Sequence, residues 1–213
     1  MANRAKPVKE TPRRKRRKEL RPSEIVEAGL QVFVEKGYAA TRLEDIAKRA
    51  GVVKGTIYRY FDSKEALFRE AIQLRIEPIV GQTDQIIENY TGPSDQLLRM
   101  VIGHLYARLV RSEARELVRV IIAEARRFPE IPEFYHQVIL SKAMDLVRKI
   151  IERGIAQGDF APIRAAKYPM AIIAPAFVAL IWQLTFSNQQ PLDLEEYQEA
   201  HIELILRALK ASP

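Results

Sequence analysis

Apolar residues recur at helical spacing through most of the chain, and two short patterns within residues 43–61 flank a tight turn. Ala47 in the first pattern is small enough for a second helix to cross it closely, and Ile57, ten residues later, can fill that crossing. Gly51 lies between the two patterns, where a sharp reversal needs a residue that tolerates positive φ. The spacing therefore predicts a helix-turn-helix, in which the second helix enters the DNA major groove.

The elements around this motif have clear start and stop signals. A first helix is predicted over residues 22–36, where a proline and a serine open it and a glycine follows it. Thr41 is expected to be the N-cap of the second helix, with a glutamate three residues later to complete a capping box. The recognition helix is predicted over residues 53–61, and Ser63 is expected to cap a fourth helix.

From residue 78 onward the apolar spacing stays helical, without strand-like alternation. Loops are predicted at residues 90–93 and 124–130. Residues 168–192 carry no charge, and their first part is apolar over nearly the length of a membrane span. Two prolines and two polar residues within it argue against a span, so we expect a helix buried by its own core and by a partner subunit. A last helix is predicted over residues 194–209.

The composition adds a strongly basic end to this all-α pattern. Among 213 residues, residues 1–21 carry ten of the 34 Lys/Arg and two of the 27 Asp/Glu, which leaves 24 basic and 25 acidic residues elsewhere. Residues 1–20 are predicted to be a disordered basic arm, which either contacts DNA or is a solvated tail. The chain has no cysteine, which excludes disulfides and thiolate sites, and no secretory signal is recognised, so a cytoplasmic location is expected.

Residues 21–76 resemble the DNA-binding domain of the tetracycline-repressor (TetR) family of transcriptional regulators. The residues that carry the resemblance are Ala28, Phe33, Gly37-Tyr38, Thr41, Ile46-Ala47, Ala50-Gly51-Val52, Lys54-Gly55-Thr56-Ile57-Tyr58, Tyr60-Phe61, Ser63-Lys64-Glu65 and Leu67. The resemblance implies an all-α fold with an N-terminal three-helix helix-turn-helix DNA-binding domain over residues 21–77. It also implies a C-terminal helical ligand-binding and dimerisation domain over residues 78–213. The expected partners are double-stranded DNA, a second copy of the chain and a small-molecule effector, with no membrane and no cofactor.

The candidate DNA contacts lie on and around the recognition helix. With its apolar residues turned inward, that helix leaves Lys54, Gly55, Thr56, Tyr58 and Arg59 on the DNA side. Gly55 allows close approach of the backbone, and Arg59 can pair bidentately with guanine. The resemblance adds contacts to the DNA backbone from Thr41, Arg42 and Lys64, with Val53 and Tyr60 beside them.

The second domain offers candidates for an effector pocket and for a dimer interface. Aromatic and polar residues that suit an apolar pocket are His104, Tyr106, Phe128, Phe134, Tyr135, Phe177 and Trp182. Each aromatic residue taken alone also suits ordinary core packing, and both interpretations stay open. The last two helices are expected to form half of a four-helix dimer interface through Phe177, Ile181, Tyr197, His201, Leu204, Ile205 and Ala208.

Two other classes of function remain to be weighed. A sequence-indifferent architectural DNA binder would draw its affinity from the basic arm, with steep salt dependence and little site preference. An enzyme is not expected, because His104, His136 and His201 lack metal-ligand spacing and the chain has neither a glycine-rich phosphate loop nor a nucleophile elbow. No catalytic or metal site is therefore predicted.

Overall fold

The computed structural model describes residues 13–210, and side chains within that range except at 13–21 and 165–166. This part of the chain is all-α, with no β-strand, and an isolated antiparallel bridge joins Phe160 and Lys210. The chain divides into two compact units at Ala71 and Ile72. The boundary predicted from the sequence lies six residues later, between residues 77 and 78. The observed division falls inside the helix Lys64–Arg75.

The first unit contains the predicted helix-turn-helix. Its helices are α1 (Arg13–Ala40), α2 (Leu43–Arg49), α3 (Lys54–Tyr58) and the start of α4 (Lys64–Arg75). Helix α1 begins nine residues before the predicted start, so residues 13–20 of the predicted arm are helical, while residues 1–12 lie outside the described residues. The sequence of this stretch is rich in Arg, Lys, Glu and Leu, which are strong helix formers.

Two glycines set the turns of the first unit. Gly37 has φ 77° and ψ 161°, so helical geometry is interrupted at the predicted end of the first helix. Gly51 has φ 66° between α2 and α3, where Val52 donates its N–H to the Ala47 carbonyl at 3.0 Å. Ala47 and Ile57 are both buried, as the predicted helix crossing requires.

The helix caps of this unit differ from the prediction at α2 and agree at α4. The N-cap of α2 is Arg42, whose backbone N–H donates to the Asp45 carboxylate at 3.3 Å. Thr41 instead donates its hydroxyl to the Gly37 carbonyl at 2.7 Å. Ser63 is confirmed as the cap of α4, since its Oγ accepts the Ala66 N–H at 3.0 Å.

The second unit is a bundle of helices whose ends fall close to the predicted loops. They are α5 (Glu77–Asn89), α6 (Ser94–Leu105), α7 (Ala114–Glu124), α8 (Glu130–Tyr135), α9 (Ser141–Gln157), α10 (Pro169–Thr185) and α11 (Leu194–Leu209). Two π-helical turns, Tyr106–Val110 and His136–Leu140, continue α6 and lead from α8 into α9. A short 3₁₀ turn, Arg164–Lys167, precedes α10.

Polar contacts near the end of α9 fix the start of α6. Asp159 accepts the backbone N–H of Ser94 at 2.8 Å, and Gln157 accepts its hydroxyl at 2.8 Å. Arg153 donates to the carbonyls of Tyr90 and Gly92, both at 2.8 Å. These contacts satisfy backbone groups of the α5–α6 loop and of the α6 N-terminus, which lack partners within their own helix.

Helix α10 is the apolar segment for which the sequence predicts burial on two sides, by its own core and by a partner subunit. Ile172, Ala176, Ala179 and Leu180 are buried, whereas Val178 on the opposite side is 54% exposed. In the described part of the chain, no helix combines the length and the apolar character that crossing a membrane needs.

Candidate DNA-binding interface and effector cavity

Helix α3 presents a short, mostly exposed surface. It is shorter than predicted, since it ends at Tyr58 and the next two residues form a turn. Ile57 anchors it in the core, while Val53 is 74% and Tyr58 47% exposed. Lys54, Gly55 and Arg59 are also exposed, and Thr56 and Tyr60 are half-buried.

The cations of this surface already have partners. Lys54 forms an ion pair with Glu44 of α2 and lies 5.5 Å from the centre of the Tyr58 ring. Arg59 lies 5.8 Å from the Tyr60 ring. The hydrogen bond between Lys54 and Glu44 lowers the pKa of Glu44 and raises the pKa of Lys54, so both side chains stay charged at neutral pH. The carboxylate of Glu44 therefore neutralises part of the positive charge on the exposed surface of α3.

Two of the residues proposed by resemblance as phosphate contacts have their polar groups engaged inside the first unit. Thr41 is 2% exposed, and its hydroxyl bonds to Gly37 rather than facing solvent. Lys64 donates its ammonium to the carbonyl of Tyr38 at 2.6 Å and to that of Ala39 at 3.2 Å. Arg42, by contrast, is exposed beside the start of α2.

A small apolar cavity of about 70 Å³ lies in the second unit between α5, α6, α9 and α10. Its lining is formed by Ile79, Val80, Thr83, Leu98, Val101, Ile102, Leu105, Ala143, Leu146, Val147 and Ile173. The Thr83 hydroxyl donates to the Ile79 carbonyl at 2.9 Å, so it offers little polarity to a ligand. The wall formed by α5 contains no buried residue.

None of the seven candidate effector residues lines this cavity. Tyr106 is buried and bonds to His201, and Tyr135 is buried, which raises its pKa to about 12. Trp182 donates its ring N–H to the Gln190 carbonyl at 2.9 Å. The remaining four are half-buried: His104, Phe128, Phe134 and Phe177. The cavity is lined instead by aliphatic side chains that the sequence pattern assigned to the core, and the assignment of the seven residues to an effector pocket stays a prediction.

The candidate dimer residues separate into exposed and buried groups. Ile181 is 38% and Leu204 63% exposed, and Ala208 is exposed as well. Phe177 and Tyr197 are half-buried. His201 and Ile205 are buried within their own unit, since the helical face that carries them turns toward the protein interior.

The sequence also missed exposed apolar residues beside this group. Met170, Val178 and Phe186 are each about half exposed on or just after α10. Met170, Val178 and Ile181 are eight and three residues apart, which places them on one side of the helix. Leu204 is exposed on α11, which packs against α10, and we call these four residues together the α10–α11 face.

Comparison with known proteins identifies the family. Residues 25–71 match the model described as "Bacterial regulatory proteins, tetR family", and residues 90–201 match the one described as "Tetracyclin repressor-like, C-terminal domain". The chain belongs to the TetR family. As a member it is a DNA-binding transcriptional regulator, with the helix-turn-helix in its first unit.

Individual relatives cover nearly the whole chain. The HTH-type transcriptional repressor KstR2 of Mycolicibacterium smegmatis is 25% identical over 195 residues, which cover 90% of this chain and 92% of that protein. FadR from Bacillus subtilis, solved in complex with stearoyl-CoA, superposes with a TM-score of 0.71 at 21% identity, covering 88% of this chain and 98% of that one. A regulator from Saccharomonospora viridis, solved in complex with choline, gives a TM-score of 0.76 at 18% identity, with 92% and 100% covered. The two structures show that the fold is shared.

Proposed function

We propose that this TetR-family regulator represses transcription as a homodimer that binds a palindromic operator and is released by an apolar small molecule. The observation that carries the proposal is an exposed recognition helix on one unit combined with an apolar cavity and an exposed apolar face on the other. Its place of action is the cytoplasm. The DNA-facing set consists of Arg42, Val53, Lys54, Gly55, Thr56, Tyr58, Arg59 and Tyr60.

Because α3 has only five residues, few of its side chains can contact bases in each subunit. Arg59 follows the last helical residue and its side chain is exposed, where a guanidinium can reach the O6 and N7 of guanine. Tyr58 offers a hydroxyl to a phosphate. Two copies of such a small surface, held at a fixed spacing, are needed to specify an operator, which is why a palindrome is expected.

The α10–α11 face supports the homodimer. Exposed apolar patches on a protein surface mark sites of association. Interaction with the same face of a second copy around a two-fold axis would bury Val178, Ile181 and Leu204 on both subunits. The interface proposed here omits His201 and Ile205, because both are already buried within one subunit.

The cavity supports an effector with a hydrocarbon part. Recognition of a quaternary ammonium such as choline uses aromatic rings, and no aromatic residue lines this cavity. Its aliphatic lining suits an acyl chain or another hydrocarbon group, the class to which the stearoyl part of the ligand in the FadR structure belongs. At about 70 Å³ the cavity has to widen for such a ligand, and α5, without a buried residue, is the wall that needs least energy to move.

The mechanism is a shift between two conformations. The effector binds better to a conformation of the dimer whose recognition helices do not fit adjacent major grooves. Linkage then requires that operator binding weaken effector binding by the same factor.

The test is a selection from random duplex DNA at near-physiological salt, with Arg59→Ala and the exposed Arg126→Ala as a matched control. The expected result is a palindromic site that relaxes at one position per half-site in Arg59→Ala and is unchanged in Arg126→Ala. Binding to all sequences without enrichment would instead support an architectural role and contradict the proposal.

A further inference from the structure

The positive charge of the first unit is concentrated at the start of α1. Residues 13–18 are six consecutive Lys/Arg, whereas residues 22–77 carry nine basic and nine acidic residues. Several cations of the helix-turn-helix are paired within the unit, as Lys54 is with Glu44 and Arg49 with Glu35. Attraction to DNA that does not depend on sequence comes from cations that neutralise phosphates. Residues 13–18, which we call the basic run, are therefore the part of this unit that is richest in the charge this attraction needs.

The basic run is helical and continuous with the rest of α1. From Arg13 to Lys36 the backbone stays helical, through Pro22. Like charges three or four residues apart in a helix repel each other, and the run contains three pairs of the first spacing and two of the second. The first turn of α1 also has no acidic residue to favour the positive end of the helix dipole. A polyanion beside the basic run removes both disadvantages, so the chemistry of the run favours a phosphate backbone as its partner.

Contacts between α1 and α2 show in which direction the basic run leaves the unit. Near the start of α2, Asp45 pairs with Lys36 at 2.8 Å, and at its end Arg49 donates to Gln31 at 3.2 Å. Moving along α2 toward α3 therefore corresponds to moving along α1 toward its N-terminus. At the usual rise per residue of an α-helix, the nearest residue of the basic run lies about 20 Å beyond the level of Gln31 along the α1 axis. The five residues of α3 extend over about 8 Å, so the basic run reaches beyond this helix.

The basic run also lies outside the part of the chain that the family shares. The match to the tetR-family model begins at residue 25, and Ile25 is the first buried side chain that the structure describes. The charge of the run is therefore a feature of this chain rather than of the matched domain. Substitutions within the run leave the core of the unit unchanged.

We propose that the basic run is a helical phosphate-binding extension of α1, which binds the DNA backbone outside the bases that α3 contacts and adds affinity without sequence preference. The proposal rests on DNA binding by the first unit, but not on the existence of an effector or of a dimer. Successive residues of a helix are spread around its axis, so about half of the six residues can face the duplex at one time. About three phosphate contacts per subunit are therefore expected.

The main test removes the charge and keeps the helix propensity, since glutamine forms helices about as well as lysine and arginine. The sixfold variant combines Arg13→Gln, Arg14→Gln, Lys15→Gln, Arg16→Gln, Arg17→Gln and Lys18→Gln. Dissociation constants are measured over a range of salt concentrations for the selected operator, for the same operator with about ten further base pairs on each side, one turn of the duplex, and for a random duplex.

The expected result has three parts. On the long operator duplex, the salt slope of the sixfold variant should decrease by about 3 per subunit. Its preference for the operator over the random duplex should stay as in the wild type, because phosphate contacts carry no sequence information. Lengthening the operator duplex should raise the affinity of the wild type but not that of the sixfold variant.

A second pair of variants tests whether the basic run binds as a helix. Lys18→Pro and Lys18→Gln both remove one charge, but only proline removes the backbone hydrogen bond of residue 18 and clashes with the preceding turn. We expect the salt slope to decrease by up to about 1 in Lys18→Gln and by about 2–3 in Lys18→Pro, because proline also displaces the other cations of the run.

Three results would overturn the proposal. An unchanged salt slope in the sixfold variant would make the basic run a solvated tail. An equal gain from the longer duplex in the wild type and the sixfold variant would show that the run does not contact the flanking backbone. Equal slopes for Lys18→Pro and Lys18→Gln would show that the run binds as an extended chain rather than as a helix.

The test also separates this proposal from the proposed function. If the selection yields no operator, the proposed function fails, and the salt slopes on the random duplex still decide here. A slope that decreases in the sixfold variant, and more in Lys18→Pro than in Lys18→Gln, supports the proposal. A slope that is the same in all these variants and in the wild type overturns it.

Discussion

The hydroxyl of Tyr106 lies 3.2 Å from Nδ1 of His201, and Nε2 of the same histidine lies 2.9 Å from the Ile172 carbonyl. Because a carbonyl only accepts, Nε2 carries the hydrogen, and Nδ1 of the neutral ring accepts the tyrosine O–H. This buried chain joins the π-helical turn after α6 to α11 and α10. It satisfies every polar atom of the His201 ring without a charge.

The pH dependence of stability follows from this arrangement. Burial lowers the pKa of His201, and burial likewise lowers that of His104. When the pKa of a histidine is lower in the folded state than in the unfolded chain, the unfolded chain binds protons more readily as the pH falls. Acidification then favours unfolding. The stabilisation is therefore present above the unfolded pKa of about 6.5 and is lost as the pH falls below it.

We expect the melting temperature of the wild type to fall as the pH is lowered from about 7 to 5, and His201→Gln to show a shallower decline from a lower starting value. His104 retains part of the dependence in that variant, so His104→Gln combined with His201→Gln flattens the curve further. The exposed His136→Gln serves as the control and should follow the wild type. Calorimetry across this pH range checks the prediction, and equal slopes in wild type and His201→Gln would contradict it.

Two helical glycines of the second unit should respond oppositely to alanine. A Cβ at Gly81 in α5 would meet nothing within 4 Å, whereas a Cβ at Gly154 in α9 would lie 2.1 Å from the Phe160 ring. Gly81→Ala should therefore stabilise the protein by about 0.5–1 kcal/mol through helix propensity. Gly154→Ala should destabilise it by about 1–3 kcal/mol through overpacking. Urea unfolding measures both, and a destabilised Gly81→Ala would show that α5 is not an ordinary helix in solution.

The sequence predicted elements well where apolar spacing and cap signals agree, as at α11 and at Ser63. It failed where a polar group has more than one possible hydrogen-bond partner. Thr41 could cap α2 or bond back to α1, and its hydroxyl donates to the Gly37 carbonyl four residues earlier. His201 lies on an apolar helical face, but its partner Tyr106 is 95 residues away and no local pattern indicates it.

The cavity illustrates a second limit. A cavity is a gap between α5, α6, α9 and α10, and its position depends on how far apart those helices pack. The aliphatic residues around it have the same helical spacing as residues in a filled core. Sequence could predict that they are apolar, but not that they leave a space.

Filling the cavity should strongly weaken the proposed effector binding without harming the fold. Ala143→Leu adds three carbon atoms to its wall, and occupying an empty apolar space is expected to raise stability by about 1 kcal/mol. We expect affinity for the fluorescent fatty acid cis-parinaric acid to fall by about tenfold or more, because the site is occupied. The exposed Ala123→Leu on α7 is the control. Fluorescence titration measures both, and wild-type affinity in Ala143→Leu would place the effector elsewhere.

A charge on the α10–α11 face should separate the proposed dimer. Leu204→Glu places a carboxylate at a residue that is 63% exposed in one subunit, so the subunit itself remains folded. Burying this charge against a second copy without a partner is unfavourable, and the dimer should dissociate. Met100→Glu makes the same change at an exposed position of α6 and should leave the assembly intact. Sedimentation velocity distinguishes the two, and an unchanged dimer in Leu204→Glu would exclude this face as the interface.

The ion pair between Glu44 and Lys54 should restrain DNA binding. Glu44→Gln removes a negative charge beside the recognition helix and releases the Lys54 ammonium for a phosphate. We expect affinity for operator and random duplex to rise together by about two- to tenfold, with the salt slope steeper by up to about 1. Glu203→Gln breaks a similar exposed ion pair with Arg207 on α11 and should change neither quantity. The double variant Glu44→Gln, Lys54→Gln decides the cause: if Glu44 acts through Lys54, adding Glu44→Gln to Lys54→Gln brings a much smaller gain than in the wild type. An equal gain in both backgrounds would show that Glu44 repels the DNA directly and that the ion pair plays no part.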